Sequence, residues 1–155
     1  MNLKNIFKTV LILGAIVGII AFIAPHNVIT NTALNPEIGL RIIQLAGQDI
    51  RVSVVSTPED RVKGLGGRTG LATNEGMLFI FDMAAKYGFW MKDMLFSIDI
   101  LWLSDKGEIL DMVDKVGPGT YPTVFSPKVP ARYVLELPSG FVEAYSVKVG
   151  DIVRL

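Results

Sequence analysis

The feature that most constrains the fold is a succession of short strand-like segments between residues 38 and 155. Each segment is apolar, or alternates apolar with polar residues, and glycine, proline, asparagine or aspartate separates it from the next. Many short strands with turn signals and little helix are typical of a β-sandwich or barrel. The sequence therefore predicts a mainly β domain: a small β-sandwich or partly closed barrel with one or two short helices.

Local signals place the individual elements. The first two strands form a hairpin, and Thr57 and Pro58 begin a helix of at most two turns that stops at Gly64. A further helical turn is predicted at 139–145. The predicted strands are 40–45, 50–55, 76–81, 89–91, 98–103, 109–113, 132–137 and 152–155.

The first 25 residues predict a membrane segment. Lys4 and Lys8 precede an apolar run over 10–24, which is near spanning length when its flanking residues are counted. No small-x-small cleavage motif follows, which favours an uncleaved anchor over a cleaved signal peptide. The leading lysines predict that the N-terminus lies inside and the domain outside the cytoplasmic membrane. Cleavage would instead give a secreted or periplasmic protein.

The predicted organisation is therefore an anchor or signal over 1–25, a polar linker over 26–37 and a globular domain over 38–155. The chain has no cysteine and one histidine, His26, in the linker. Disulfides, thiolate nucleophiles, Cys- or His-bound zinc and a Ser-His-Asp triad within the domain are thereby excluded. Equal numbers of basic and acidic residues, without a basic cluster, predict no nucleic-acid partner. We expect no metal and no cofactor.

Two carboxylates lie inside strand-like sequence. Asp99 belongs to a strand that is apolar on both faces, and Glu136 shares a face with Val134. A buried carboxylate must be paired, hydrogen-bonded or protonated. Three interpretations remain open: structural ion pairs, a ligand pocket, or an acid/base pair of the glycosidase kind. The candidate ion-pair partners are Arg61, Arg68 and Lys92.

Other motifs favour ordinary structural roles. The glycines of 64–70 resemble a dinucleotide loop but follow a helix, so they predict a tight or mobile turn. Trp90 and five methionines would suit copper(I), yet core packing is the favoured interpretation because no histidine accompanies them. Residues 117–130 contain four prolines and include Tyr121, and a loop of this length is often functional. A pocket is predicted near this loop, Arg68, Trp90 and Asp99.

Three blocks in order resemble the DUF192 family, also called UPF0127 or the COG1430 conserved region. They are Arg61-x-x-Gly64-Leu65 with Arg68-x-x-Leu71 and 75–81, then 89–92 with Asp99, then 133–140. The resemblance covers roughly residues 48–154. It implies a jelly-roll-like β-sandwich and a secreted or membrane-tethered protein, and it implies no established activity, substrate or cofactor. Arg61, Arg68, Asp99 and Glu136 match the family pattern and form a candidate polar cluster. Asp93, Met94 and Ser97 depart from the Asn-Thr and proline that the family usually has, and Gly66 departs from its Gly-Leu-Met.

These observations favour a membrane-tethered extracytoplasmic binding or accessory module for a small polar ligand, a glycan or a partner protein. One alternative is an envelope-acting hydrolase that uses Asp99 and Glu136 as acid and base. Another is a purely structural domain. The ligand-binding candidates are Arg61, Arg68, Trp90, Lys92, Asp99, Tyr121 and Glu136.

Overall fold

A computed structural model describes residues 39–155 of the chain. This part has six strands and two short α-helices, with a 3₁₀ turn at Pro118–Thr120. The predicted anchor and linker lie outside it. Among the described residues no helix is both long enough and apolar enough to cross a membrane. The elements in chain order are β1 Leu40–Leu45, β2 Gln48–Val55, α1 Pro58–Lys63, β3 Glu75–Ala85, β4 Ile98–Leu103, β5 Ile109–Val116, β6 Ala131–Pro138 and α2 Phe141–Ala144.

The strands form one six-stranded sheet in the order β1-β2-β3-β6-β4-β5. The β2–β3 pair is parallel and every other pair is antiparallel. The mainly β prediction is confirmed. The partly closed barrel is wrong, because β1 and β5 stand at opposite ends of the order and do not pair. The hydrogen-bonded arrangement is a single mixed sheet rather than the two antiparallel sheets of a jelly roll.

The local signals produced the expected hairpin and helix. Ala46 and Gly47 both have positive φ, at 50° and 76°, and turn β1 into β2. Such backbone angles at both central residues suit the right-handed twist of the flanking strands. Thr57 caps α1, with its hydroxyl accepting a 3.2 Å hydrogen bond from the Asp60 backbone N–H, and Pro58 is the first helical residue. Both predictions are confirmed.

Two predicted strands are shorter than expected. In place of the strand at 89–91, Phe89 alone bridges Phe125, with both backbone hydrogen bonds at 2.8 Å. The partner segment 117–130 contains four prolines, which lack the N–H that a longer ladder requires. In place of the strand at 152–155, isolated bridges join Ile152 to Glu108 and Arg154 to Gln44.

The sheet buries an apolar cluster on each face, because alternate residues of a strand point to opposite sides. We name the faces by their carboxyls. The Asp99 face is covered by α2 and the C-terminal segment, and its core includes Ile43, Leu78, Leu101, Leu135, Phe141 and Val153. The Glu136 face is covered by the segments 56–74 and 86–97, and its core includes Leu65, Met77, Phe79, Met94, Ile100 and Val134.

Candidate functional site

Glu136 lies in the middle of the sheet and forms no salt bridge with any residue that the structure describes. On β6 it is paired with Met77 of β3 and Ile100 of β4, and only 5% of its surface is exposed. Its Oε2 atom has no hydrogen-bond partner within residues 39–155. Burial raises the pKa of Glu136 from 4.5 to about 8, and the charge of Arg68 partly opposes this rise. The carboxyl group is therefore mostly neutral at pH 7.

An open cleft lies over this carboxyl. It has a volume of about 310 Å³, and we call it the Glu136 cleft. Its wall is formed by α1 and the glycine turn that follows, by β3, and by the segment 87–94. The ring of Phe79 meets that of Phe89 edge-on at 4.9 Å. The aromatic residues of the lining are Phe79, Phe81, Tyr87, Phe89 and Trp90.

Arg61 lines the cleft but is engaged in holding the fold together. Its Nη1 atom donates to the carbonyls of Ser56 and Ile80, both at 2.7 Å, and its guanidinium lies 5.0 Å from the centre of the Phe81 ring. Because no residue of α1 is buried, these contacts are a main attachment of the helix to β3. Arg61 thus shapes the cleft wall.

Replacing Arg61 with methionine is expected to lower the free energy of unfolding by about 1–2 kcal/mol, because two hydrogen bonds and a cation–π contact are lost. Urea unfolding of the full chain, followed by tryptophan fluorescence, measures the change. Lys63→Met on the same helix is the control, and at this exposed position it should change stability by less than about 0.5 kcal/mol. Equal effects of the two substitutions would show that Arg61 does not anchor the helix.

Two lysines of the cleft lining have no salt-bridge partner among residues 39–155. They are Lys63 and Lys92, and both are exposed. Arg68 lies in an adjoining pocket of about 440 Å³, which shares Lys63, Gly64 and Gly66 with the cleft. With the carboxyl of Glu136 neutral, the side chains that line the cleft carry three positive charges, on Arg61, Lys63 and Lys92, and no negative one.

Asp99 is buried on the other face and has its hydrogen-bonding capacity filled. Its exposure is 0%. The carboxylate accepts backbone N–H bonds from Lys115 at 2.8 Å, Gly140 at 3.1 Å and Val142 at 2.9 Å. These bonds tie β4 to the end of β5 and to the start of α2. The role of Asp99 is therefore to hold the fold together.

The structure does not bring Asp99 and Glu136 together. In the β4–β6 register Asp99 pairs with Leu137, whereas Glu136 pairs with Ile100. Neighbouring positions on a strand point to opposite faces, so the sheet separates the two carboxyls. The acid/base pair expected for a hydrolase is not formed. The predicted ion pairs are not formed either, since neither carboxyl has a salt bridge among residues 39–155.

Some of the remaining predicted residues line the Glu136 cleft and others do not. Trp90 and Lys92 line the cleft, whereas Tyr121 is 52% exposed and lies outside the lining. The N–H groups of Gly66 and Gly67 in the glycine turn are not free to bind a phosphate, because they bond to the carbonyls of Lys63 and Asp93. Three of the five methionines, Met77, Met91 and Met94, are buried in the core of the Glu136 face.

Most of the cleft wall was not predicted from the sequence. Phe79 and Phe81 alternate along β3 on the same face as Met77, so their common side could have been inferred. The sequence gives no indication that α1 and the segment 87–94 leave a cleft between them. Lys63 and Val62 were missed for the same reason.

The fold and site define a small mainly β domain with an open aromatic cleft on one face of its sheet. Residues 41–155 match the family DUF192, described as Uncharacterized ACR, COG1430, and the chain belongs to this family. The resemblance seen in the sequence is thus confirmed.

The chain is similar in sequence to one curated protein and in fold to two solved structures. A UPF0127 protein of Pyrococcus furiosus is 35% identical over 68 residues, which are 44% of this chain and 53% of that protein. The chain thus matches about half the length of this curated relative. A crystal structure from Sinorhizobium meliloti 1021, described as a candidate transcription regulator, has a TM-score of 0.68 at 30% identity, covering 74% of this chain and 90% of its own. A protein of unknown function from Novosphingobium aromaticivorans has a TM-score of 0.70 at 26% identity, covering 79% and 91%.

Proposed function

We propose that the chain is a binding module, tethered outside the cytoplasmic membrane, whose Glu136 cleft takes a small polar ligand. The observation that carries the proposal is a buried carboxyl at the base of an open cleft, with one oxygen that has no hydrogen-bond partner among residues 39–155. Leaving a buried polar atom without a hydrogen bond costs about 1–3 kcal/mol. A cost of this kind, kept in a central strand, is typical of a functional site.

The dimensions of the cleft favour a small molecule over a protein surface. Small-molecule sites are mostly apolar clefts of about 300–1,000 Å³ with a few placed polar groups. At about 310 Å³, with aromatic walls and one carboxyl, the cleft has these properties. A stable protein partner would need about 800 Å² of surface on each side. A single sugar unit of a glycan would also fit.

The tether is proposed from the N-terminal sequence. Lys4 and Lys8 lead a long apolar run, and the positive-inside rule then places residues 38–155 across the membrane. A binding module in that position would meet small molecules and glycans of the cell envelope.

Narrowing the cleft should weaken ligand binding. Val62 lines the cleft mouth and is 73% exposed, so Val62→Trp should fill space without disturbing the core. The experiment is a ligand-observed NMR screen of the full chain in detergent micelles, with small anionic, neutral and cationic compounds. We expect compounds that bind the wild type and lose at least about ten-fold in affinity in the variant.

Leu95→Trp is the matched control, because Leu95 is 64% exposed but does not line the cleft. It should retain binding. A screen in which no compound binds, or in which both tryptophan variants bind like the wild type, would contradict the proposed function.

A further inference from the structure

We infer that the ligand of the Glu136 cleft is a small ring-bearing anion, whose hydrogen-bonding group faces Glu136 and whose negative group faces Lys63 and Lys92. This inference rests on the proposed function and names the chemical class of the ligand. It follows from the side chains in three parts of the cleft, namely its bottom at Glu136, its walls and its mouth.

The bottom of the cleft, at Glu136, favours a hydrogen-bonding group on the ligand. Burial raises the pKa of Glu136 to about 8, so at pH 7 the side chain offers an O–H donor as well as acceptor oxygens. A ligand hydroxyl or amide that reaches the carboxyl from the cleft can use both. A ligand carboxylate at this depth would accept the Glu136 proton but would itself be desolvated, which is costly. The polar group at the base is therefore neutral.

The walls select a flat ring. Five aromatic side chains line the cleft, and the rings of Phe79 and Phe89 meet edge-on. Aromatic walls favour planar or ring-shaped ligands through stacking and edge-to-face contacts. Trp90, which is 46% exposed, keeps surface available for a ligand at the outer part of the wall.

The mouth selects a negative charge. Three cations line the cleft, and the guanidinium of Arg61 already donates to two backbone carbonyls. Lys63 and Lys92 form no salt bridge within the described residues and remain available to a ligand. Arg68 adds positive charge from the adjoining pocket. A cationic ligand would be repelled at the mouth and would have to ionise a buried carboxyl at the base.

The preferred charge of the ligand is tested with three probes that share one ring and one hydroxyl but are anionic, neutral and cationic at pH 7. They are 4-hydroxybenzoate, 4-hydroxybenzamide and 4-hydroxybenzylamine. Their affinities for the full chain in detergent micelles are measured by ligand-observed NMR at pH 7. We expect 4-hydroxybenzoate to bind about ten-fold more tightly than the amide, and the amine to bind most weakly. The double variant Lys63→Gln with Lys92→Gln should reduce the preference for the anion to less than about three-fold. Lys106→Gln, in the exposed β4–β5 turn, is the control and should leave the preference intact.

Benzoate, which lacks the hydroxyl, tests whether Glu136 at the bottom of the cleft binds the hydroxyl of the ligand. Glu136→Leu should weaken 4-hydroxybenzoate by at least about five-fold and leave benzoate nearly unchanged, because only the former bonds to the carboxyl. Equal losses of affinity for 4-hydroxybenzoate and benzoate would show that Glu136 does not bond to the ligand hydroxyl.

The outcomes separate this inference from the proposed function. If the amine binds most tightly, or all three probes bind alike, while Val62→Trp still weakens them, the ligand is not an anion but the cleft is still a binding site. If none of the three binds in a way that Val62→Trp weakens, the anion inference fails. The broader screen with Val62→Trp and Leu95→Trp then decides the proposed function separately.

Discussion

Replacing Asp99 with asparagine is expected to lower the free energy of unfolding by about 3 kcal/mol or more. The carboxylate accepts three backbone N–H bonds, two on Oδ1 and one on Oδ2. Asparagine has only one acceptor oxygen and places an NH₂ group at the other position. In one orientation Val142 N–H loses its acceptor, and in the other Lys115 and Gly140 lose theirs. Every orientation leaves a buried donor facing another donor.

Urea unfolding of the full chain, compared with Asp82→Asn, measures this effect. Asp82 is on β3 and is exposed, so its substitution should change stability by less than about 0.5 kcal/mol. A neutral or stabilising Asp99→Asn would contradict the structural role of Asp99. It would show that the charge is kept at a cost in stability, as in a functional site.

The second large effect is a loss of stability as the pH rises, caused by Glu136. The pKa of Glu136 is about 8 in the folded chain, against an ordinary value of 4.5. Between these values the folded state holds a proton that the unfolded state has released, so stability falls as the pH rises. The slope is about 1.4 kcal/mol for each pH unit, roughly 5 kcal/mol in all, and the fall ends near pH 8. Below pH 4.5 both states are protonated and the contribution is constant.

Glu136→Gln should abolish this slope, because the amide does not titrate. We expect similar stabilities for variant and wild type near pH 4.5, and a variant several kcal/mol more stable near pH 8.5. Urea unfolding of the full chain across this range measures both curves. Glu108→Gln, at an exposed position, is the control and should follow the wild type. Parallel curves for Glu136→Gln and wild type would show that Glu136 gains charge without penalty, contrary to an unpartnered burial.

Local structure could be predicted from the sequence because its causes are local. Thr57 and Pro58 start α1, and the turn after Leu45 closes the first hairpin, through residues that are neighbours in the chain. The strand order could not be predicted. The insertion of β6 between β3 and β4 depends on contacts between segments tens of residues apart. The sandwich or barrel expectation failed at this point.

The burial of both carboxyls could be predicted, but not what surrounds them. The apolar neighbours of Asp99 in β4 indicated a central strand, which is confirmed. Its hydrogen-bond donors are backbone groups at positions 115, 140 and 142, and side-chain patterns carry no information about them. Whether Glu136 lay on the same face as Asp99 depended on a register between two strands, and a shift of one residue would have reversed the answer.

Ligands are expected to bind on the Glu136 face of the sheet, and methyl NMR of the full chain with labelled methionines can locate them. Met94 lines the cleft, whereas Met112 packs against the cluster of the Asp99 face. On titration with 4-hydroxybenzoate and the other compounds of the screen, we expect the Met94 methyl resonance to shift and the Met112 resonance to stay in place. A ligand that shifts the Met112 resonance and not the Met94 resonance would show that binding is on the other face, and a complete screen that shifts neither would show that the Glu136 cleft is not a binding site.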